Sequence, residues 1–179
     1  DNLNLVRGSL YLLLEEAGKL TQNSVNGNLS YRADSSKLNG GYASIVDGVN
    51  KTLDAVVKPV QESAKILNQM SQGNLGVRVT GDYKGDHADI KNALNDTLDA
   101  LESYVKEISS VLNEMANSNL DLSINNEYKG DFSQIKDSLN LIINSLNEVM
   151  GDVNSASEQV ASGSRQVSDS SMSLSQGAT

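Results

Sequence analysis

Apolar residues in the middle of the chain recur at alternating steps of four and three. From Ile90 they read Ile90, Leu94, Thr97, Leu101, Tyr104, Ile108, Val111 and Met115. That is the heptad seam of helices packed side by side. The same steps run through Ile45, Val49, Thr52, Val56, Pro59, Ser63, Ile66 and Met70. They return from Ile135 through Leu139, Ile142, Leu146, Val149, Val153, Ala156, Val160, Gly163 and Val167 to Leu174. Flanking Leu53, Leu67, Leu98 and Leu112 widen each stripe, which suits a four-helix bundle better than a bare two-stranded coil. Thr52 and Thr97 place polar groups in the seam, where they are either merely tolerated or soften the bundle.

Between the helical runs the period changes to two. Leu75, Val77 and Val79 alternate with polar residues, as do Leu120, Leu122 and Ile124, and before them Leu29, Tyr31 and Ala33. Such alternation marks an extended segment. A dozen extended residues reach roughly 35–40 Å. A helix of about 16 residues is only roughly 24 Å long. The connector can therefore return along the helix it leaves, and the next helix then starts parallel to the first. Two parallel helices with one apolar stripe each cannot close a core, but two copies of the chain can. The expected fold is all-α: a parallel four-helix-bundle homodimer of coiled-coil type, its units joined by continuous helices into an extended rod. Gly27 and Gly73 follow helical runs and supply the left-handed C-terminal turn; Ser118-Asn119 holds that place in the third segment. Asp86 and Asp131 are expected to cap the following helices, with Gly41 a weaker start in the first segment. Pro59 marks a junction between units.

The segments repeat. Ile45, Ile90 and Ile135 are separated by 45 residues each, and Tyr83-Lys84-Gly85-Asp86 returns as Tyr128-Lys129-Gly130-Asp131. A fixed period of this size means a stack of similar units. Composition agrees, since aromatics are 4% of 179 residues with no Trp, too few for a conventional globular core. The net charge of −9 argues against nucleic acid and anionic membrane surfaces as partners. Without Cys there are no disulfides, thiolate metal sites or cysteine nucleophiles. No run approaches the ~18 apolar residues of a membrane span, and no signal peptide is present. The chain opens and closes mid-pattern, as a piece of a longer protein would, with any membrane anchor outside it.

Candidate chemistry is sparse. His87, the lone imidazole, aligns with Tyr42 and Phe132 and reads as a packing position at a helix start. Asp86 and Asp131 lie a full repeat apart and are not a catalytic pair. Tyr83-Lys84-Gly85-Asp86 lacks the glycines and the Lys-Ser/Thr ending of a phosphate loop. Tyr31, Tyr83 and Tyr128 read as groove packing rather than a ligand pocket. No catalytic residue, metal ligand or cofactor site is expected, and the chain reads as a non-enzyme.

Together, the parallel helices, the heptad seam and the connector openings Gly27-Asn28-Leu29 and Gly73-Asn74-Leu75 resemble the HAMP domain of bacterial and archaeal receptors. Ser118-Asn119-Leu120 matches all but the Gly; Val79 and Ile124 fall on the family's second connector anchor, and Asp86 and Asp131 on its acidic helix start. The family's early Pro is matched by Pro59. The variant Tyr-Lys-Gly-Asp…Ile-Lys…Leu-Asn resembles HAMP arrays of methyl-accepting chemotaxis proteins. Residues 5–58, 59–103 and 104–150 then form three units. Residues 151–179, Ser-rich with a continuing seam, are similar to the start of a chemoreceptor signalling helix rather than a disordered linker. Glu158 and Gln159 partly resemble a methylation pair. The resemblance implies a relay in which Leu29, Leu75, Val79, Leu120, Ile124, Ile90, Leu94, Ile135 and Leu139 repack between two states. It implies a homodimer, and contact with a chemotaxis histidine kinase and its coupling protein only through a tip outside this segment. It also implies a cytoplasmic location without direct membrane contact. A linker of a sensor kinase or cyclase, a passive coiled-coil spacer and a ligand-binding helical domain are the rival readings.

Overall fold

The computed structural model describes residues 2–177. It is all-α, with helices α1 (Asn2–Val25), α2 (Gly41–Ser71), α3 (Asp86–Ala116) and α4 (Phe132–Gly177), plus one 3-10 turn, Ser35–Lys37. The described residues contain no strand, and the period-two connectors are extended without strand partners. α2 passes through Pro59 unbroken, with that ring buried inside the helix. The Ser-rich tail is helical, as its seam predicts, and belongs to the 46-residue α4.

Helix ends follow local chemistry. At the end of α2, the Gly73 N–H donates to the Met70 carbonyl (2.9 Å) and the Asn74 N–H to that of Gln69 (3.1 Å). This pair of bonds is the Schellman ending, which needs a left-handed residue; Gly73 supplies it at φ 85°. α1 ends in the same way at Gly27, whose neighbour Asn28 donates to Asn23. After α3 the left-handed residue is Ser118 at φ 66°, not the Asn119 that residue preference favours, because the bonds fix the register: Ser118 N–H to Met115 and Asn119 N–H to Glu114.

Helix starts depart from expectation. Asp86 is the first residue of α3 rather than a cap before it. The Gly85 carbonyl accepts from Ala88 and Asp89, and the Asp86 and Asp89 charges sit in the first turn, where they complement the helix dipole. Asp131 directly precedes α4, yet the Gly130 carbonyl receives the Ser133 N–H at 3.1 Å and its hydroxyl at 2.8 Å. In both places the cap function has moved to the glycine carbonyl.

The described chain divides into two compact units, Asp1–Leu101 and Glu102–Thr179. In the first, α1 and α2 run parallel, with Leu12 and Leu13 beside Tyr42, Ala43 and Val46 and Leu20 near Val49. The second half of α2 and the start of α3 are also parallel, since His87 and Ile90 lie against Pro59, Val60 and Ser63 while Leu98 packs on Ile66. In the second unit Tyr104 of α3 meets Phe132 at the start of α4, ring centroids 5.2 Å apart, and Asn147 farther along α4 reaches Leu120. Each connector thus returns between two parallel helices, as the reach argument requires.

The buried residues are those the connector covers. Ile66, Val79 and Leu98 form one cluster. Val111, Ile124 and Ile143, one repeat later, are equally buried. The first connector is built differently. It is one residue longer than the others between its opening Leu and the helical Ile. The 3-10 turn takes up that residue, with the Ser36 N–H donating to Asp34 Oδ1 at 3.0 Å. Its buried anchors are Ala33 and Leu38, while Leu29 is 42% exposed.

Candidate functional site: the connector clamps

Three kinds of side-chain clamp hold the returning connectors, and the first recurs in all three. The first comes from the following helix. The Asn95 amide donates to the Val79 carbonyl at 3.0 Å and accepts the Val79 N–H at 2.9 Å. Asn50 does the same for Ala33 (2.8 and 3.0 Å), and Asn140 for Ile124 (3.1 and 2.9 Å). The clamped residue is the buried anchor in every case. An extended strand without neighbours leaves its backbone groups unpaired, and each one buried that way costs about 1–3 kcal/mol. One Asn answers both groups.

The second clamp is an arginine. The Arg78 guanidinium donates to Asp99 of α3 at 2.6 Å and to the Leu75 carbonyl at 2.6 Å. Arg32 repeats this with Asp54 (2.7 Å) and Leu29 (2.7 Å). In the third segment Ser123 and Asn144 stand at these places, and Asn147 donates to the Leu120 carbonyl at 2.8 Å instead.

The third clamp is a carboxylate from the preceding helix. Glu62 accepts the N–H groups of Thr80 (2.8 Å) and Gly81 (3.2 Å) and a short bond from the Tyr83 hydroxyl. The Tyr83 hydroxyl, then the Thr80 N–H, hold the Glu62 carboxyl below its ordinary range, and Glu62 in turn raises the Tyr83 phenol. A Cβ at Gly81 would clash with the Tyr83 ring, so the glycine makes room for this arrangement. In the first segment Leu38 stands where Tyr83 stands in the second, and the phenol comes from Tyr31, which donates to Glu16 at 3.4 Å. Glu16 is 1% exposed. It accepts the Asp34 N–H at 3.0 Å and faces Lys19 at 2.9 Å and Lys37 at 3.7 Å. The Asp34 N–H and then Lys19 lower its pKa.

The sequence-predicted residues fall into two groups around these clamps. Val79 and Ile124 are the buried anchors. Leu75 and Leu94 are half-buried against the Ile66–Val79–Leu98 cluster; Leu120 and Leu139 are half-buried as well. Ile90 and Ile135 remain exposed, at 50% and 42%. Glu158 and Gln159 are exposed on α4. The lining tyrosines serve carboxylates and rings rather than a common pocket. Pattern reading missed the clamps themselves, although Asn50, Asn95 and Asn140 recur at intervals of 45 residues, as do Glu62 and Glu107. Among the described residues no His, Cys, Asp or Glu cluster is placed to hold a metal ion, and no helix is long and apolar enough to cross a membrane.

Parallel helices around a returning, side-chain-clamped connector, repeated along one chain, define a helical relay module. Residues 37–103 and 92–148 each match the family model of the HAMP domain. The chain belongs to that family, as a tandem array, and its class of function is signal relay. No curated protein and no solved structure matches it significantly.

Proposed function

We propose that this chain is the relay segment of a chemoreceptor, without catalysis of its own, coupling an upstream sensor to a downstream kinase-control tip. It works as a parallel homodimer in the cytoplasmic part of a receptor, and residues 5–58 act as a further HAMP unit, because they carry the same Asn clamp (Asn50 on Ala33). The observation that supports a chemoreceptor is α4. It leaves the last connector and continues to Gly177 as one helix, through Ser-rich sequence whose seam of Val153, Val160, Val167 and Leu174 is exposed. Small seam residues bury little area, so such a helix packs weakly and switches readily.

In this reading the two states differ in how the connector anchors and seam residues pack, and helices shared by successive units carry the difference along the array. A receptor carrying Leu75→Asn tests it, because Leu75 packs at the edge of a core cluster rather than at its centre. Kinase output should shift toward one signalling state while the receptor remains folded. Unchanged output would make the array a passive spacer. A histidine-kinase or cyclase sequence after Thr179 would instead make it a linker within an enzyme.

A further inference from the structure

Glu107 occupies in the third segment the position Glu62 occupies in the second, yet it takes no connector N–H. Its Oε2 is buried with no hydrogen-bond partner. The groups at the matching connector positions, the N–H of Asn125 and of Asn126, donate to no backbone carbonyl and not to Glu107 Oε2. The carbonyls of these two residues accept from Lys136 Nζ, at 3.2 and 2.9 Å, as the Gly81 carbonyl accepts from Lys91 at 2.8 Å in the second segment, so the lysine bond is common to both. Tyr128, the counterpart of Tyr83, stays beside Glu107, and burial together with that carboxylate raises its phenol pKa. Its ring, however, stacks on Tyr104 with centroids 4.2 Å apart, and its hydroxyl also donates to the Tyr104 carbonyl at 3.4 Å. The connector end follows, with the Lys129 N–H donating to the Tyr104 hydroxyl at 3.0 Å.

Two substitutions within the repeat account for the change. Tyr104 stands where the second segment has Pro59, and supplies a ring and a hydroxyl that compete for the connector. Asn126 stands where the second segment has Gly81, the residue whose missing Cβ leaves space for Tyr83 over Glu62. A buried carboxylate oxygen without a donor is costly, so the open arrangement carries a cost that a closed one would relieve.

We propose that the carboxylate of each opening helix is a latch on the returning connector, closed at Glu62 and held open at Glu107 by Tyr104 and Asn126, so that the third connector is the array's release point. The inference needs only the HAMP fold and is independent of the chemoreceptor reading. It orders the array: the end of the second connector is latched by a carboxylate, and the end of the third, held by the Tyr104 hydroxyl in its place, can take another packing next to the outgoing helix.

Residue-resolved amide hydrogen exchange on the whole chain tests it. In the unaltered protein the Thr80 and Gly81 amides should be protected, and Glu62→Gln should speed their exchange about tenfold or more. The Asn125 and Asn126 amides should exchange fast, and Glu107→Gln should leave them unchanged. Asn126→Gly should close the latch and slow exchange at residues 125 and 126, and adding Glu107→Gln should abolish that gain. Acceleration of the Asn125 and Asn126 amides in the single Glu107→Gln variant would overturn the proposal, and so would a gain in Asn126→Gly that survives loss of Glu107. Glu62→Asp shortens the second latch by one methylene and keeps its charge. If Glu62→Gln does not fold, the same acceleration is expected of Glu62→Asp, and unchanged exchange there would overturn the proposal equally.

Discussion

At the scale of single residues, the carboxylate latches make stability depend on acid. Glu16 and Glu62 both have folded pKa values lowered from 4.5. A carboxyl whose pKa is lower folded than unfolded contributes stability that is complete above its unfolded pKa and disappears as pH falls through its folded one. The contribution should therefore be whole above about pH 5 and decline steadily below it. Asp34, lowered by its bonds from Ser36, adds to the same trend, so the wild-type curve alone cannot be divided among residues. A difference can. Urea unfolding of the wild type and Glu62→Gln at a series of pH values should show the largest gap at neutral pH and a narrowing gap on acidification. A gap of constant width would mean that the Glu62 charge does nothing for the connector.

At the scale of elements, the repeat was legible and the clamps were not. Heptad steps, the period-two connectors and the positions of Gly27 and Gly73 follow from side-chain periodicity and backbone sterics, which act locally and so are written locally. Asn95 and Glu62 were invisible for a different reason. A polar residue on a helix reads as solvated until the returning strand is known to lie against it. Asp86 was assigned to the cap position because a Gly-Asp pair fits a helix start in two registers one residue apart, and the positive φ of Gly85 settles which. The exposure of Leu29 was not legible either, because the extra residue in the first segment does not show in an alternating pattern. Ser118 gives this scale its prediction. It is the one non-glycine residue with positive φ among those described, in a place where the other two connectors have glycine. A left-handed non-glycine costs about 1–2 kcal/mol, of which glycine's own entropy takes back part. Ser118→Gly should thus raise unfolding stability by about 1 kcal/mol, and Gly73→Ser should lower it by a similar amount, both measured by denaturant unfolding at one protein concentration. Equal midpoints for Ser118→Gly and wild type would show that the turn relaxes at no cost.

For the molecule as a whole, the decisive feature is what one chain leaves uncovered. The connector buries one flank of each helix pair, with Leu98 fully covered and Val79 and Ile124 at 2% and 1% exposure. Of the heptad seam, Ile66 and Val111 are buried with the connector, whereas other seam positions stay open. Ile45, Ile90 and Ile142 remain about half exposed, at 54%, 50% and 48%. A seam at strict heptad steps is the shape that another helix pair fills, and a second copy of this chain presents the same seam in the same register. Parallel pairing about a two-fold axis brings each seam position near its own counterpart. Antiparallel pairing, or packing of the chain on itself, does not. The chain contains no Cys, so one introduced thiol reports on one position. Ile90→Cys is the better probe, because Leu94 already packs against its own chain's core. Under mild oxidation in dilute solution, Ile90→Cys should form a disulfide-linked dimer quickly, whereas Asp96→Cys, on the exposed side of α3, should not. Equal rates at both positions would indicate random collision. Absence of a crosslink at residue 90, with a monomer mass by light scattering, would remove the four-helix dimer and with it the repacking on which relay depends.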